Sequence, residues 1–291
     1  MAALTEHASL FNLRVRGWRR RHLHTAFGRV HLLEAAGAGP LPPMVLLHGF
    51  TAAGAHYGAL LERLRRISRR VLAPDLPAHG FSDSPTDLGL DALYPGLRDA
   101  LDQCLDEPFV LVGNSLGGAL AVRYALDRPS RVLGLALLAP GGAPMTAPEL
   151  GALKSLFTVR SDAAALAFVD RVMVRPGAMR RLYAYGIRGG FARPAIRSML
   201  AGMTVADCLR AEDLRALTVP VRVMWGGHER VLPASGRAFF EANLPPHGRV
   251  EVHPGVGHCP HLDDLDHTAR TLQRWGGEFG PVAHRPTHRH R

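Results

Sequence analysis

The residues best suited to chemistry sit together in Gly113-Asn114-Ser115-Leu116-Gly117, a G-x-S-x-G pentapeptide. A serine hydroxyl attacks well only when a base takes its proton and the charge building on the attacked oxygen is stabilised. The flanks of the pentapeptide provide for the second need. Phe109-Val110-Leu111-Val112 is an unbroken apolar run, suited to a strand buried on both faces. Gly118 to Leu126 is helix-forming and is closed by Pro129. Ser115 is therefore placed on a tight strand-to-helix turn. Glycines on either side let the backbone turn sharply and let neighbouring chain approach closely. The helix brings its free N–H groups and partial positive charge to the reacting centre. Strand before and helix after set this motif apart from a chance G-x-S-x-G, and the chemistry it suits is nucleophilic attack on a carbonyl.

The elements needed to position that turn can be read outward from it. Two strands, about 19–25 and 29–35, are joined at Gly28; Met44-Val45-Leu46-Leu47 is a buried strand ending in His48-Gly49-Phe50. Tyr57, Leu60, Leu61, Leu64 and Ile67 recur at helical spacing, and Val71-Leu72-Ala73 is a short strand before Pro74-Asp75. Leu93, Leu97, Leu101 and Leu105 mark a helix with Pro95 at its start. Val132 to Leu138 is another buried strand. Regular alternation of strands and helices predicts a mostly parallel α/β sheet covered on both faces. Right-handed crossovers then collect the strand C-terminal ends on one edge, where loops form a site.

The alternation breaks after Pro140. From Gly141 to about Cys208 the pattern is helical, with segments over 162–173 and from Pro194, so a helical cap is expected over the sheet edge. Its Met, Phe and Tyr residues suit both packing and an apolar substrate pocket. The sheet resumes at Val219 to Trp225, followed by a helix over 233–243, a short strand over 250–253 and a last helix through Leu262, Leu265, Ala269 and Leu272. The expected organisation is an N-terminal arm (1–17), an α/β core (18–140 and 209–278), a helical cap (141–208) and a disordered basic tail (279–291) rich in Pro, His and Arg.

With 291 residues, 47% hydrophobic and 21% charged, the chain can bury one large core. Three scattered cysteines, Cys104, Cys208 and Cys259, imply no disulfide framework. With no signal-peptide pattern and no spanning apolar run, a cytoplasmic protein is expected. The net charge of +10 is carried by arginine, Lys154 being the one lysine. No nucleic-acid motif accompanies it, so a solvated basic surface is the plainer reading and no nucleic-acid partner is expected. The arm interleaves Phe11, Leu13, Val15 and Trp18 with Arg14, Arg16 and Arg19 to Arg21. That pattern is open to peripheral contact with a lipid headgroup surface, or simply to packing on the domain.

Five segments in order make residues 18–278 resemble an α/β-hydrolase with a helical lid. They are His48-Gly49-Phe50, Pro74 to Asp83, Gly113 to Gly117, Trp225 to Pro233 and Gly257-His258. The resemblance is strongest to single-domain lipases, esterases and monoacylglycerol lipases, with the carbon–carbon bond hydrolases of aromatic ring cleavage close behind. It implies Ser115 as nucleophile, His258 as the base that takes and later returns its proton, and the N–H groups of Phe50 and Leu116 as the oxyanion hole. The resemblance implies structural roles for Asp75 and His79.

Two positions depart from the family pattern. Where W-G-x-x-D is usual, Glu229 follows Trp225. A glutamate can still hold the imidazole tautomer and stabilise its cation. No Asp lies within 225–233, and Pro140 to Met145, after the preceding strand, has no carboxylate. Glu229 is therefore assigned as the acid. Ala78 stands where the family often has glycine. His253, His258, Cys259 and His261 crowd one loop, but their spacing matches no standard zinc site, and neither a metal nor an organic cofactor is expected.

The function expected is serine hydrolysis of an apolar carboxylic ester through an acyl-enzyme. The alternatives are hydrolysis of a carbon–carbon bond in an anionic ring-cleavage product, for which arginines of the cap such as Arg171, Arg180 and Arg197 would serve as clamp, and a weakly catalytic small-molecule binder of the same fold.

Overall fold

The computed structural model describes residues 2–280. Eight strands form one sheet in the order β1-β2-β4-β3-β5-β6-β7-β8. β1 (Arg19–Thr25) and β2 (Gly28–Ala36) form the antiparallel edge, and β2 pairs antiparallel with β4 (Arg70–Pro74). From β4 onward all pairs are parallel, through β3 (Met44–Leu47), β5 (Phe109–Asn114), β6 (Val132–Leu138), β7 (Val221–Gly226) and β8 (Arg249–His253).

The central strands read as continuous apolar runs because both faces are buried. On β5, Phe109 and Leu111 join one core while Val110 and Val112 join the other; β3 divides the same way, Val45 and Leu47 against Met44 and Leu46. The first core is closed by α3 (Leu90–Cys104), α4 (Leu116–Asp127), α9 (Ala211–Arg215) and α10 (Ser235–Asn243), through Leu97, Leu120, Leu214 and Phe240. The second is closed by α1 (Ala2–Val15), α2 (Gly58–Ile67) and, after the short α11 (Pro260–Asp263), α12 (Leu265–Phe279), through Leu13, Leu61 and Trp275. Among the described residues no helix is long and apolar enough to cross a membrane.

Between β6 and β7 the chain forms the helical cap, with α5 (Ala147–Leu156), α6 (Asp162–Val172), α7 (Arg180–Phe191) and α8 (Pro194–Gly202). Thr146 and Glu149 close a reciprocal capping box at the start of α5, and Ser161 caps α6. Phe157, Phe168, Phe191 and Ile196 give the cap a core of its own, and Phe50 from the sheet edge reaches into it, 5.5 Å from the Phe157 ring.

Two expectations need correction, and the arm takes a definite form. Pro95 does not open its helix: α3 begins five residues earlier at Leu90 and carries Pro95 inside it. The ring costs one backbone hydrogen bond, while Leu93, Leu97 and Leu101 on the same helix are fully or almost fully buried. The arm is a regular helix, α1, whose Leu10 and Leu13 enter the second core with Trp18. Its Glu6, 2% exposed, pairs at 2.5 Å with Arg193 of the cap, which also donates to Gly80 O. Finally, α12 extends to Phe279, one residue into the expected tail; residues 281–291 of that tail lie outside the described residues.

Candidate active site

The loops that follow β3, β4, β5, β7 and β8 meet at the C-terminal edge of the sheet. Backbone strain collects at the same edge. Among the described residues, the non-glycine residues with positive φ are Thr51 (65°), Ala78 (67°), Ser115 (52°) and Ala139 (41°), and each lies just beyond the end of β3, β4, β5 or β6. A non-glycine residue held there costs about 1–3 kcal/mol and persists only where the surroundings fix it. Ala78 thus keeps the left-handed turn for which the family uses glycine.

The Ser115 turn is fixed from both sides. Ser115 N–H donates to Leu138 O at 3.1 Å, and its carbonyl accepts from Gly118, Ala119 and Gly141 at 2.9, 3.2 and 2.9 Å. Its glycines are needed for close approach. A Cβ on Gly117 would lie 2.3 Å from Leu47 O and 2.6 Å from His48 O, and one on Gly113 would lie 2.6 Å from Gly117 O. These obstacles are backbone and cannot rotate away. Gly117→Ala is therefore expected to lose about 3 kcal/mol of stability. A urea midpoint equal to that of the unchanged protein would contradict this packing.

His258, on the loop after β8, is 5% exposed, and its Nδ1 lies 2.8 Å from Glu229 Oε2. A carboxylate facing Nδ1 keeps the proton on that nitrogen and leaves Nε2 free to accept another. Glu229 Oε1 accepts from the N–H groups of Val231 (2.7 Å) and Leu232 (3.0 Å). Burial alone would raise this carboxyl; the His258 charge and hydrogen bond, with the two backbone donors, outweigh it and hold Glu229 below its ordinary value. The longer side chain thus meets the imidazole while its second oxygen ties down its own loop.

Ser115 and His258 line one cavity of about 380 Å³, together with Gly49, Phe50, Phe157, Phe168, Val172, Met173, Leu182 and Tyr183. Among the described residues, the N–H groups of Phe50 and Leu116 have no acceptor in the protein. Among the described residues no arginine or lysine lines the cavity.

Two positioning residues escape a sequence reading. Tyr57 Oη donates to Asn114 Oδ1 at 2.6 Å and accepts from Gly49 N–H at 3.2 Å; Asn114 Nδ2 donates to Leu138 O at 2.7 Å and to His258 O at 3.3 Å. The loop after β3, the serine turn and the histidine loop are thereby joined through two buried side chains. Asn114 occupies a variable position of G-x-S-x-G, and Tyr57 falls in register with apolar helix residues, so neither carries a signal of its own. Asn114→Ala is expected to lower kcat about tenfold and stability by about 1–3 kcal/mol, since it strands buried partners. Steady-state kinetics with a denaturation curve measure both, and an unaltered kcat would remove Asn114 from the positioning set.

The other histidines are engaged separately. His48 Nδ1 lies 2.9 Å from Gly49 O, and its Nε2 accepts from Leu76 N–H at 2.9 Å. His79 is buried against Pro77 O, and that burial pushes it down to about 3. Asp75 accepts from Gly54 and Phe81 N–H and lies 2.8 Å from His31 Nδ1, which organises the loop after β4. His253 faces His267, and His261 stacks on Tyr57 at 4.3 Å. The crowded histidines therefore point to different partners rather than to one centre.

An eight-stranded, mostly parallel sheet with helices on both faces and a cap over the serine turn defines a protein of hydrolase architecture. Residues 44–271 match the model of the alpha/beta hydrolase family. The chain belongs to that family. It is similar to the pimeloyl-[acyl-carrier protein] methyl ester esterase of Xanthomonas axonopodis pv. citri, with 30% identity over 84% of this chain and 97% of the relative. It is also similar to the 2-hydroxymuconate semialdehyde hydrolase of Pseudomonas sp. strain CF600, with 29% identity over 82% and 86%. In fold it resembles the naproxen esterase of Bacillus subtilis, with a TM-score of 0.76 and 20% identity over 93% and 96% of the two chains.

Proposed function

We propose that this chain is a serine hydrolase that cleaves an uncharged, apolar carboxylic ester through an acyl-enzyme. The observation that carries the reading is the apolar cavity shared by Ser115 and by a His258 whose far nitrogen is engaged by Glu229. Ser115 Oγ attacks the ester carbonyl as His258 Nε2 takes its proton. The Phe50 and Leu116 N–H groups stabilise the oxyanion, and Glu229 stabilises the imidazolium. His258 then protonates the departing alcohol, activates water, and the acid is released. An oxyanion donor of this kind is typically worth about 3 kcal/mol of barrier.

The similarity to an esterase supports ester cleavage, and the similarity to a semialdehyde hydrolase raises the carbon–carbon alternative. That alternative needs a cation to hold an anionic substrate, and none of the cap arginines is among the residues lining the cavity, which favours the ester. A series of p-nitrophenyl esters of increasing acyl length tests the choice. Chain-length-dependent turnover together with fluorophosphonate labelling of Ser115 is expected. No turnover of any ester and no labelling would overturn the reading.

A further inference from the structure

The cavity opens between two helices that were not expected to be neighbours. Ala8 and Ser9 of α1 and Leu182, Tyr183 and Gly186 of α7 line it, and α1 packs against α7. Leu182 lines the cavity and is also 51% exposed, which places it on the rim.

Apolar exposure concentrates around that rim. Of the eight large hydrophobic residues exposed among those described, five lie on these two packed helices or the turn between α6 and α7: Phe11 (70%) and Val15 (72%) on α1, Met179 on the turn, and Leu182 and Tyr185 on α7. Phe11 and Val15 are i and i+4 on α1, and Leu182 and Tyr185 are i and i+3 on α7 with Met179 just before it, so each helix presents a stripe. A contiguous exposed apolar patch of this kind marks an interaction surface. The charge left unpaired on these two helices and the turn before α7 is basic. Arg14, Arg175 and Arg181 are exposed and have no counter-ion among the described residues. Glu6, the one carboxylate of α1, is buried and paired with Arg193, and α7 has no carboxylate. Asp170 and Asp162 of the neighbouring α6 are neutralised by Arg180 and Arg188.

We propose that this rim docks on an anionic lipid bilayer, with the α1 and α7 stripes entering the interface and the free arginines meeting lipid phosphates. Two short apolar stripes flanked by cations are the physical makings of an interfacial anchor. The docked orientation turns the cavity mouth toward the membrane, so an apolar ester dissolved there enters without crossing water. That entry route rests on the ester-hydrolase reading; the docking does not. The residues differ in part from those suggested by the arm alone, because Leu13 and Trp18 are buried in the second core.

The test is flotation of the full chain with vesicles of phosphatidylcholine, alone or mixed with phosphatidylglycerol. Binding to the mixed vesicles that weakens in high salt is expected. The Phe11→Ser/Met179→Ser double variant, altered outside the cavity lining, is expected to bind about tenfold or more weakly. Its fluorophosphonate labelling and hydrolysis of a soluble short-chain ester should stay at the level of the unchanged chain. No flotation of the unchanged chain, or equal flotation of the variant, would overturn the proposal. So would a dimer in sedimentation velocity that the double substitution dissociates, because the patch would then belong to a second copy. Flotation without turnover of any ester would leave the docking standing and remove the ester reading instead.

Discussion

Ser115→Ala is expected to lower kcat/KM for an activated ester by about 10⁴-fold or more, with the denaturation midpoint nearly unchanged. The serine hydroxyl is carried into the cavity on a strained turn (φ 52°, ψ −118°) at the start of α4. On the proposed mechanism its removal takes away the bond-forming atom and leaves the Phe50 and Leu116 N–H groups and the apolar wall. The residual rate then measures what those contribute without covalent chemistry. The alanine has no hydroxyl to satisfy and keeps the same Cβ, so the turn itself is not rebuilt. His258→Ala is expected to fall by a similar factor, and the double variant little further, because the proposed nucleophile and base would act as one unit. Cys259, beside the base, does not substitute for the serine: burial pushes its thiol well above the ordinary thiol range, so it stays protonated. Kinetics on the three variants, with fluorophosphonate labelling as a check, would decide the matter. A Ser115→Ala protein retaining about a tenth of the rate would mean that another group makes the covalent bond, and the assignment would fall.

What the sequence made legible, and what it did not, divides along a physical line. Strands buried on both faces announce themselves, because β3, β5, β6 and β7 must be apolar throughout. The serine turn announces itself because a glycine at 117 lets the backbone of Leu47 and His48 come close, and one at 113 does the same for Gly117 and Gly118. Glu229 was reachable because Trp225 and Gly226 fix the end of β7 and only one carboxylate follows within reach. Pro95 misled because proline is a good first residue of a helix, yet tertiary burial of the apolar positions on both sides of it outweighs one lost hydrogen bond. The helical state of α1 and its contact with the cap were hidden in a different way. An isolated segment of that length is marginal as a helix in water, and its order comes from partners remote in sequence, Leu61 below and Arg193 across. Asn114 and Tyr57 were illegible for the same reason: their function is a contact between loops, and no local pattern encodes a contact.

Glu229→Gln is the most informative single change, because it alters charge while keeping shape. Glutamine places an oxygen or an N–H₂ where Glu229 Oε2 now stands, 2.8 Å from His258 Nδ1, and cannot carry the negative charge that stabilises the imidazolium. If its amide N–H₂ faces Nδ1, the histidine is driven to the tautomer whose proton sits on Nε2, and that nitrogen can no longer accept from Ser115. The backbone donors of Val231 and Leu232 favour that orientation, since the glutamine oxygen satisfies them and the N–H₂ does not. Satisfying the loop thus turns the N–H₂ toward the imidazole, so the wrong tautomer is the preferred state. The expected loss in kcat is about 10²–10⁴-fold, or roughly 3–5 kcal/mol of barrier, smaller than that of Ser115→Ala. Glu229→Asp restores the charge but withdraws it by about one C–C bond, ~1.5 Å, and is expected to fall between the two. The carboxyl of Glu229 is held below its ordinary value by the His258 charge and hydrogen bond and by the two backbone donors, which keeps it ionised at neutral pH in the unchanged protein. A Glu229→Gln protein with full kcat, or one no better than Glu229→Asp in stability yet equal to the unchanged chain in rate, would show that the charge lies elsewhere and that the hydrogen bond to His258 serves the loop alone.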